Sequence, residues 1–257
     1  SQSFNPKNFR LEQLGLSVEN ARYSPKLITA AIDELSFQTD TNDLLLESEI
    51  SISESSLAIN TLDIFLNNSK VNADVMANYE SLNKILSNET EVALQLDLSQ
   101  VYLRDLSYFL PELPVASLPS KIAFQSEVTG SLESMNINNL LLKTSHSSLE
   151  LVGEIKNVLA VDSLFYTINS LQLTSDHKEF IPYFPDSVTT SIQLPEKLAL
   201  KASGSGTLSE YQGDLAFTSD YGSINADSIK LRMEESTSQF SGKLNSTGFD
   251  FGQLLRL

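Results

Sequence analysis

Leu118 to Leu132 reads LPSKIAFQSEVTGSL, and 76 residues later Leu194 to Leu208 reads LPEKLALKASGSGTL. Leu, Pro, Lys, Ala, Gly and Leu stand at matching places, six of fifteen positions in an ungapped window. The preceding stretches correspond too, Tyr108, Phe109 and Pro111 matching Tyr183, Phe184 and Pro185 at an offset of 74 to 75. The chain therefore carries a repeat of about 75 residues, and repeats of this kind stack so that each copy touches its neighbours. Within the first copy, Ile122, Phe124, Ser126 and Val128 alternate with polar residues, the period-2 pattern of a strand with one greasy face and one wet face.

The same alternation runs through much of the chain. Leu14, Leu16 and Val18 show it, as do Leu44, Leu46, Ser48, Ile50 and Ile52, then Val92, Leu94, Leu96 and Leu98. Further on come Leu149 and Leu151, Leu198, Leu200 and Ala202, and Ile229, Leu231 and Met233. The intervening positions are Ser, Thr, Asn, Gln, Glu or Lys almost throughout, which suits an antiparallel, one-sided sheet rather than a parallel sheet buried on both faces. Helical spacing is nearly absent; Asn78 to Ser87 and Leu103 to Leu110 each offer a turn or two, the latter stopped by Pro111. Helices so short cannot cover the sheet, so its apolar face must meet a second sheet, itself, or something the chain does not contain. The pattern predicts about 16 to 18 strands at about 4.8 Å spacing, a sheet long enough to twist and curl. Pro119 and Pro195 before strands, and Gly130, Gly204, Gly206 and Gly213 within or between them, are placed to make bends and bulges.

Composition removes several function classes. A net charge of -16 repels a phosphate backbone, so nucleic acid is excluded as a partner. The chain has no Cys and two His, which leaves no thiolate nucleophile and makes a metal site hard to assemble. No cofactor is expected, and no Gly-x-Ser-x-Gly elbow appears. His146 and His177 read as solvated turn residues, because no second ligand group stands beside either. Asp40-Thr41-Asn42-Asp43 lacks the Gly and terminal Glu of a calcium loop and reads as a hairpin turn. Gly204-Ser205-Gly206 precedes no helix and reads as a bulged strand rather than a phosphate cradle. Ser1 to Arg10 lacks the basic start and apolar core of a signal peptide, and the apolar cluster Phe249, Phe251, Leu254 and Leu255 just before Leu257 reads as the cut edge of a longer protein. On these residues alone, β-sandwiches and closed barrels remain commoner solutions than an open trough.

A resemblance bears on that choice. Tyr108-Phe109-Leu110-Pro111-Glu112-Leu113, Leu118-Pro119, the strand ending Val128-Thr129-Gly130-Ser131-Leu132 and its repeat from Tyr183 to Leu208 form one set of motifs. Tyr79-Glu80-Ser81-Leu82, Phe240-Ser241-Gly242-Lys243-Leu244 and Phe249-Asp250-Phe251-Gly252-Gln253-Leu254-Leu255 complete it. Across residues 78 to 257 the chain resembles the TamB branch of the AsmA-like family, in its Bacteroidota form. The resemblance implies an all-β, long, curled one-sided antiparallel sheet, a "β-taco" with an open hydrophobic groove, plus one or two short helices. It implies one continuous groove segment over 1–257, with repeat units at approximately 105–180 and 181–257 and a less regular unit at 1–104. It also implies a periplasmic, non-enzymatic protein, anchored in the inner membrane by a helix outside this segment. The partners implied are phospholipid acyl chains and, through the full-length protein, a BamA-family outer-membrane barrel of the TamA or TamL type.

The inward set Val92, Leu94, Leu96, Leu98, Ile122, Phe124 and Val128, continued by Leu149, Leu151, Leu198, Leu200, Ile229, Leu231 and Met233, is then the lipid-binding groove. Exposing the roughly 30 methylenes of a two-chain lipid to water costs on the order of 25 kcal/mol, most of which a continuous apolar trough removes. Two other readings stay open: a scaffold for outer-membrane protein assembly that offers its open strand edge, and a β-sandwich adhesin or binding module.

Overall fold

The computed structural model describes residues 13–24, 26–38, 43–106, 110, 118–183, 191–233 and 237–256. Fourteen strands form one sheet in chain order, each hydrogen-bonded to the next, and the order does not close. The expectation of an unclosed, one-sided antiparallel sheet therefore holds, with fourteen strands described where about 16 to 18 were expected. The chain divides into two compact units, Ser1–Met135 and Asn136–Leu257.

The first unit holds β1 (Gln13–Ser24), β2 (Leu27–Gln38), β3 (Asp43–Ser53), β4 (Ser56–Leu66), β5 (Ser69–Asn78), β6 (Glu91–Tyr102) and β7 (Lys121–Ser131). β8 (Ser134–Lys143) begins at the division; the second unit continues with β9 (Ser147–Lys156), β10 (Phe165–Asp176), β11 (Lys197–Gly206), β12 (Glu210–Ser219), β13 (Gly222–Met233) and β14 (Ser238–Thr247). The two repeat cassettes become β7 and β11, whose first residues are 76 apart.

A short helix follows every fourth strand: Leu103–Leu106 after β6, His177–Phe180 after β10 and Phe251–Leu255 after β14, with starts 74 residues apart. Each is too short to cover a sheet. The first two tie the chain to a hairpin turn two strands back. The Asp105 carboxylate, 3% exposed, accepts from Asn68 N at 3.1 Å and from Ser69 Oγ at 2.7 Å. Glu179, in the matching place, accepts from Thr144 Oγ1 in the turn before β9. The entry to the next strand is fixed alike: Leu103 N donates to Ser120 O at 3.1 Å, and His177 N to Glu196 O at 2.7 Å.

Bulges recur within the strands. The pairing slips at Asp33–Glu34 of β2, Asn60–Thr61 of β4, Asp97–Leu98 of β6, Asn169–Ser170 of β10 and Asp227–Ser228 of β13. An extra residue leaves backbone groups unpaired, bends its strand and raises the local twist. Side chains next door satisfy those groups. Thr61 sits at φ 50° with its N–H donating to Asp74 Oδ1 at 2.7 Å, and Ser228 at φ 51° donates to Asp214 Oδ1 at 2.8 Å. In β6, Ser99 Oγ donates to Asp97 O at 2.9 Å and accepts from Asn72 N at 3.0 Å.

Two local expectations change. Gly204-Ser205-Gly206 is not a bulge: β11 runs in continuous register with β12, and the bulge lies opposite, on β10. Asn78 to Ser87 yields only the 3-10 turn Leu82–Lys84, because Tyr79 is drawn into the structure, its hydroxyl reaching Ser53 O at 3.1 Å and Ser56 O at 2.9 Å. Of the Asp40–Asp43 cluster only Asp43 is described, as the first residue of β3. The motif residues Tyr108, Phe109, Pro111, Glu112, Leu113, Phe184 and Pro185 also lie outside the described residues.

Asp105→Ala strands the buried Ser69 hydroxyl and the part-buried Asn68 N–H, and the expected loss is about 1–3 kcal/mol, read from urea denaturation. Glu179→Ala, at a half-buried site with one described donor, is expected to cost less.

Candidate functional site

The register of the ladders sets which side chains share a face. In the first unit Ala30, Ile50, Ile59, Val75, Leu94 and Val128 form one unbroken row across six strands. Beside it Ile28, Ile52, Leu57, Ala77, Val92 and Gly130 form a second. On the far side of the bulges, Leu16, Leu35, Leu46, Ile64 and Val71 continue the same face.

The second unit repeats the arrangement. Leu149, Leu173, Leu200, Phe217 and Ile224 lie in one row, and Leu151, Leu171, Ala202, Leu215, Ala226 and Leu244 in the next. A third row, Gly153, Ile168, Gly204, Gly213 and Ile229, alternates bare backbone with isoleucine. A Cβ on Gly213 would stand 2.1 Å from Ser203 O, so the backbones approach too closely for any side chain, and Ile229 beside it is only 2% exposed. The fourth row, Ile155, Tyr166, Gly206, Tyr211, Leu231 and Phe240, brings in aromatic rings.

Burial decides between a trough and a sandwich. In a sandwich the inward Leu, Ile and Phe are the most buried side chains, interdigitated at crystal-like density. Here Leu94, Phe124, Leu149 and Leu200 stay half-buried, and the fully buried positions on the face are mostly small: Ser48, Ala73, Ala77, Ser99, Ser126 and Ala226. Within each unit, the strand pairs whose backbones approach closely along their length are neighbours in the sheet order. Among the described residues no second layer covers the apolar rows of either unit.

Thirteen of the fourteen expected groove residues fall on these faces. In the first unit Val92, Leu94, Leu96, Ile122, Phe124 and Val128 share one side, Ile122 opposite Val101 and Phe124 opposite Ser99. In the second unit Leu149, Leu151, Leu198, Leu200, Ile229, Leu231 and Met233 share one side, Met233 at its exposed margin. Leu98 does not belong. The bulge at Asp97–Leu98 shifts the phase of β6, so that Ser99, fully buried, takes the inward place and Leu98 stands 66% exposed. The face also contains residues not anticipated: Ile32 and Leu35 of β2, Leu62 and Ile64 of β4, Ile168 and Leu171 of β10, and Phe217 of β12. Ile32 and Leu35, Ile59 and Leu62, and Ile168 and Leu171 each lie three residues apart instead of two, which is the sequence mark of a bulge.

Three tyrosines have phenol pKa values raised above 10.0, Tyr166 by burial alone, Tyr211 by burial and then Asp214, and Tyr221 by burial and then Asp220. Tyr211 donates to Ser203 O at 2.8 Å, and Tyr221, 3% exposed, to Leu194 O at 3.1 Å. A phenol harder to ionise when folded contributes stability below the unfolded pKa, and that contribution is lost as pH rises through the folded value. Urea denaturation is therefore expected to show falling stability above about pH 10, with a smaller fall when Tyr211 and Tyr221 are both replaced by Phe.

The bulge assignment has its own test. Leu98→Ser is expected to change stability by less than about 0.5 kcal/mol and Leu96→Ser to cost about 1–2 kcal/mol, from the same denaturation curves. No family model, curated protein or solved structure matches the chain.

Proposed function

We propose that the chain is a segment of a conduit for lipid acyl chains. The observation that carries this reading is the uncovered apolar face: in each unit, rows of Leu, Ile, Val and Phe run side by side across six strands without a layer over them. A soluble monomer exposes apolar patches of only a few hundred Å², so a face built this way calls for an apolar occupant. The side chains along a row are interchangeable aliphatics with no polar group to fix one ligand in place, which suits chains that slide rather than a ligand that locks. The resemblance carried by residues 78 to 257 supports the same reading, and with it a place in a periplasmic bridge between inner and outer membranes that meets a BamA-type barrel.

A photocrosslinking amino acid at Leu94 or Leu200 is expected to capture phospholipid, while one at the outward Gln95 or Lys201 is not. Equal labelling at all four positions overturns the proposal. A second reading, a scaffold for strand addition, draws on β14, every residue of which is exposed, Phe240 and Leu244 included. On that reading charged substitutions at Leu94 and Leu200 leave function intact, and a proline within β14 abolishes it.

A further inference from the structure

We propose that the second unit carries a phosphate-binding site beside its apolar rows. A cavity of about 590 Å³ opens there, lined by His146, His177, Lys178, Lys197 and Arg256 together with Asp176 and Glu196. The chain holds 17 Lys and Arg against 33 Asp and Glu and has two histidines in all. Three basic side chains and both histidines therefore converge on one cavity of an acidic protein. Each arrives by a separate route: His146 from the turn before β9, His177 and Lys178 from the helix after β10, Lys197 from the start of β11, and Arg256 from the end of the helix after β14.

The cavity is held by its own framework. Gln193 N donates to Leu254 O at 2.8 Å, and Arg256 Nη2 to Ile192 O at 3.3 Å. Two of the carboxylates nearby are already engaged. Asp176 lies 3.4 Å from His146 Nδ1, and Asp220 accepts from the backbone N–H groups of Glu196 and Lys197, each at 3.3 Å. Among the described residues neither Lys178 nor Lys197 enters an ion pair, and both are exposed. The ring of His177, which meets Phe180 edge-on, lines the cavity, and its Nδ1 atom is buried with no hydrogen-bond partner among the described residues. Ammonium and guanidinium donors converging on a concave site are the chemistry that recognises a phosphate group.

The cavity lies at the end of β10 and β11 from which the apolar rows start, since Asp176 and Lys197, which line it, are each one residue from the rung of Ser175 and Leu198. The rung Ser147, Ser175 and Leu198 lies at that end of the strands, and the first wholly apolar rung, Leu149, Leu173 and Leu200, is two residues further along, about 7 Å away. A phosphate seated in the cavity thus stands next to the start of the rows, the spacing an amphiphile with an anionic head requires. The cavity's affinity for phosphate is independent of the acyl-chain proposal; its use as a headgroup seat rests on that proposal.

Calorimetric titration of the 257-residue chain with inorganic phosphate, and separately with dihexanoyl phosphatidylglycerol below its micelle concentration, tests the site. Lys178→Glu with Lys197→Glu is expected to weaken binding at least about tenfold, as loss of charge-assisted hydrogen bonds implies, whereas Lys178→Arg with Lys197→Arg stays within about threefold. Binding of both probes with that ranking supports a phosphate site open to either source, and binding of the lipid alone with that ranking supports a headgroup seat. No binding of either probe, or equal binding by both double variants, overturns the proposal. Urea denaturation of the variants separates lost binding from lost folding. Phosphate binding that persists while Leu200 fails to crosslink lipid removes the conduit and leaves this site standing.

Discussion

Among the described residues of each unit, a strand is held by its neighbours in the sheet, with no second layer stacked upon it. Backbone hydrogen bonds along the ladders and side-by-side contacts within the rows supply the cohesion. An aliphatic side chain in such a layer is shielded by the strands on either side but not from above, which leaves Leu94 and Leu200 half-buried while alanine and serine beside them are fully covered. The hydrophobic effect scales with apolar area removed from water, so a single layer obtains only part of what a two-layer fold obtains from the same residues. That shortfall links the fold to the occupant proposed for it: an acyl chain lying along a row completes the burial that the polypeptide leaves unfinished.

The bulges are where the one-layer solution becomes specific. They fall in the middle of β2, β4, β6, β10 and β13, and each needs a side chain to occupy the backbone groups it frees. Asp74 and Asp214 do this for Thr61 and Ser228 in two separate places by the same geometry. In the second unit glycines at 153, 204 and 213 let backbones close up along the row next to the bulge, and the nearly fully buried Ile229 lies in the same row and against Gly242. These are polar and glycine positions on an otherwise period-2 sheet, and they carry as much structural information as the leucines.

Much of this was legible in the sequence, and the limits have physical causes. Period-2 alternation points to a one-sided antiparallel sheet and places thirteen of its fourteen inward residues together on the apolar faces, because a side chain in a regular strand has only two sides to choose from. It failed at Leu98 for the same reason, since one inserted residue reverses the choice for everything after it. Between Ile59 and Leu62, and between Ile168 and Leu171, simple alternation breaks off and resumes in the opposite phase, so a strict period-2 pattern does not carry across. The carboxylate at Asp105 gave no local signal, as its partners lie 36 and 37 residues earlier. His177 looked like an ordinary turn residue because its surroundings come from segments far away along the chain. The division into four-strand copies was half visible: the cassette repeat marked β7 and β11, but the short helices share a position and not a set of residues.

That recurring helix governs how a chain of this kind can grow. An even number of strands per copy returns the polypeptide to the side from which it set out, so duplicating a whole copy preserves the polarity of every later strand and the sidedness of its greasy surface. Duplicating one or three strands would break that agreement. Evolution can therefore lengthen such a protein in steps of about 74 residues without redesigning any joint.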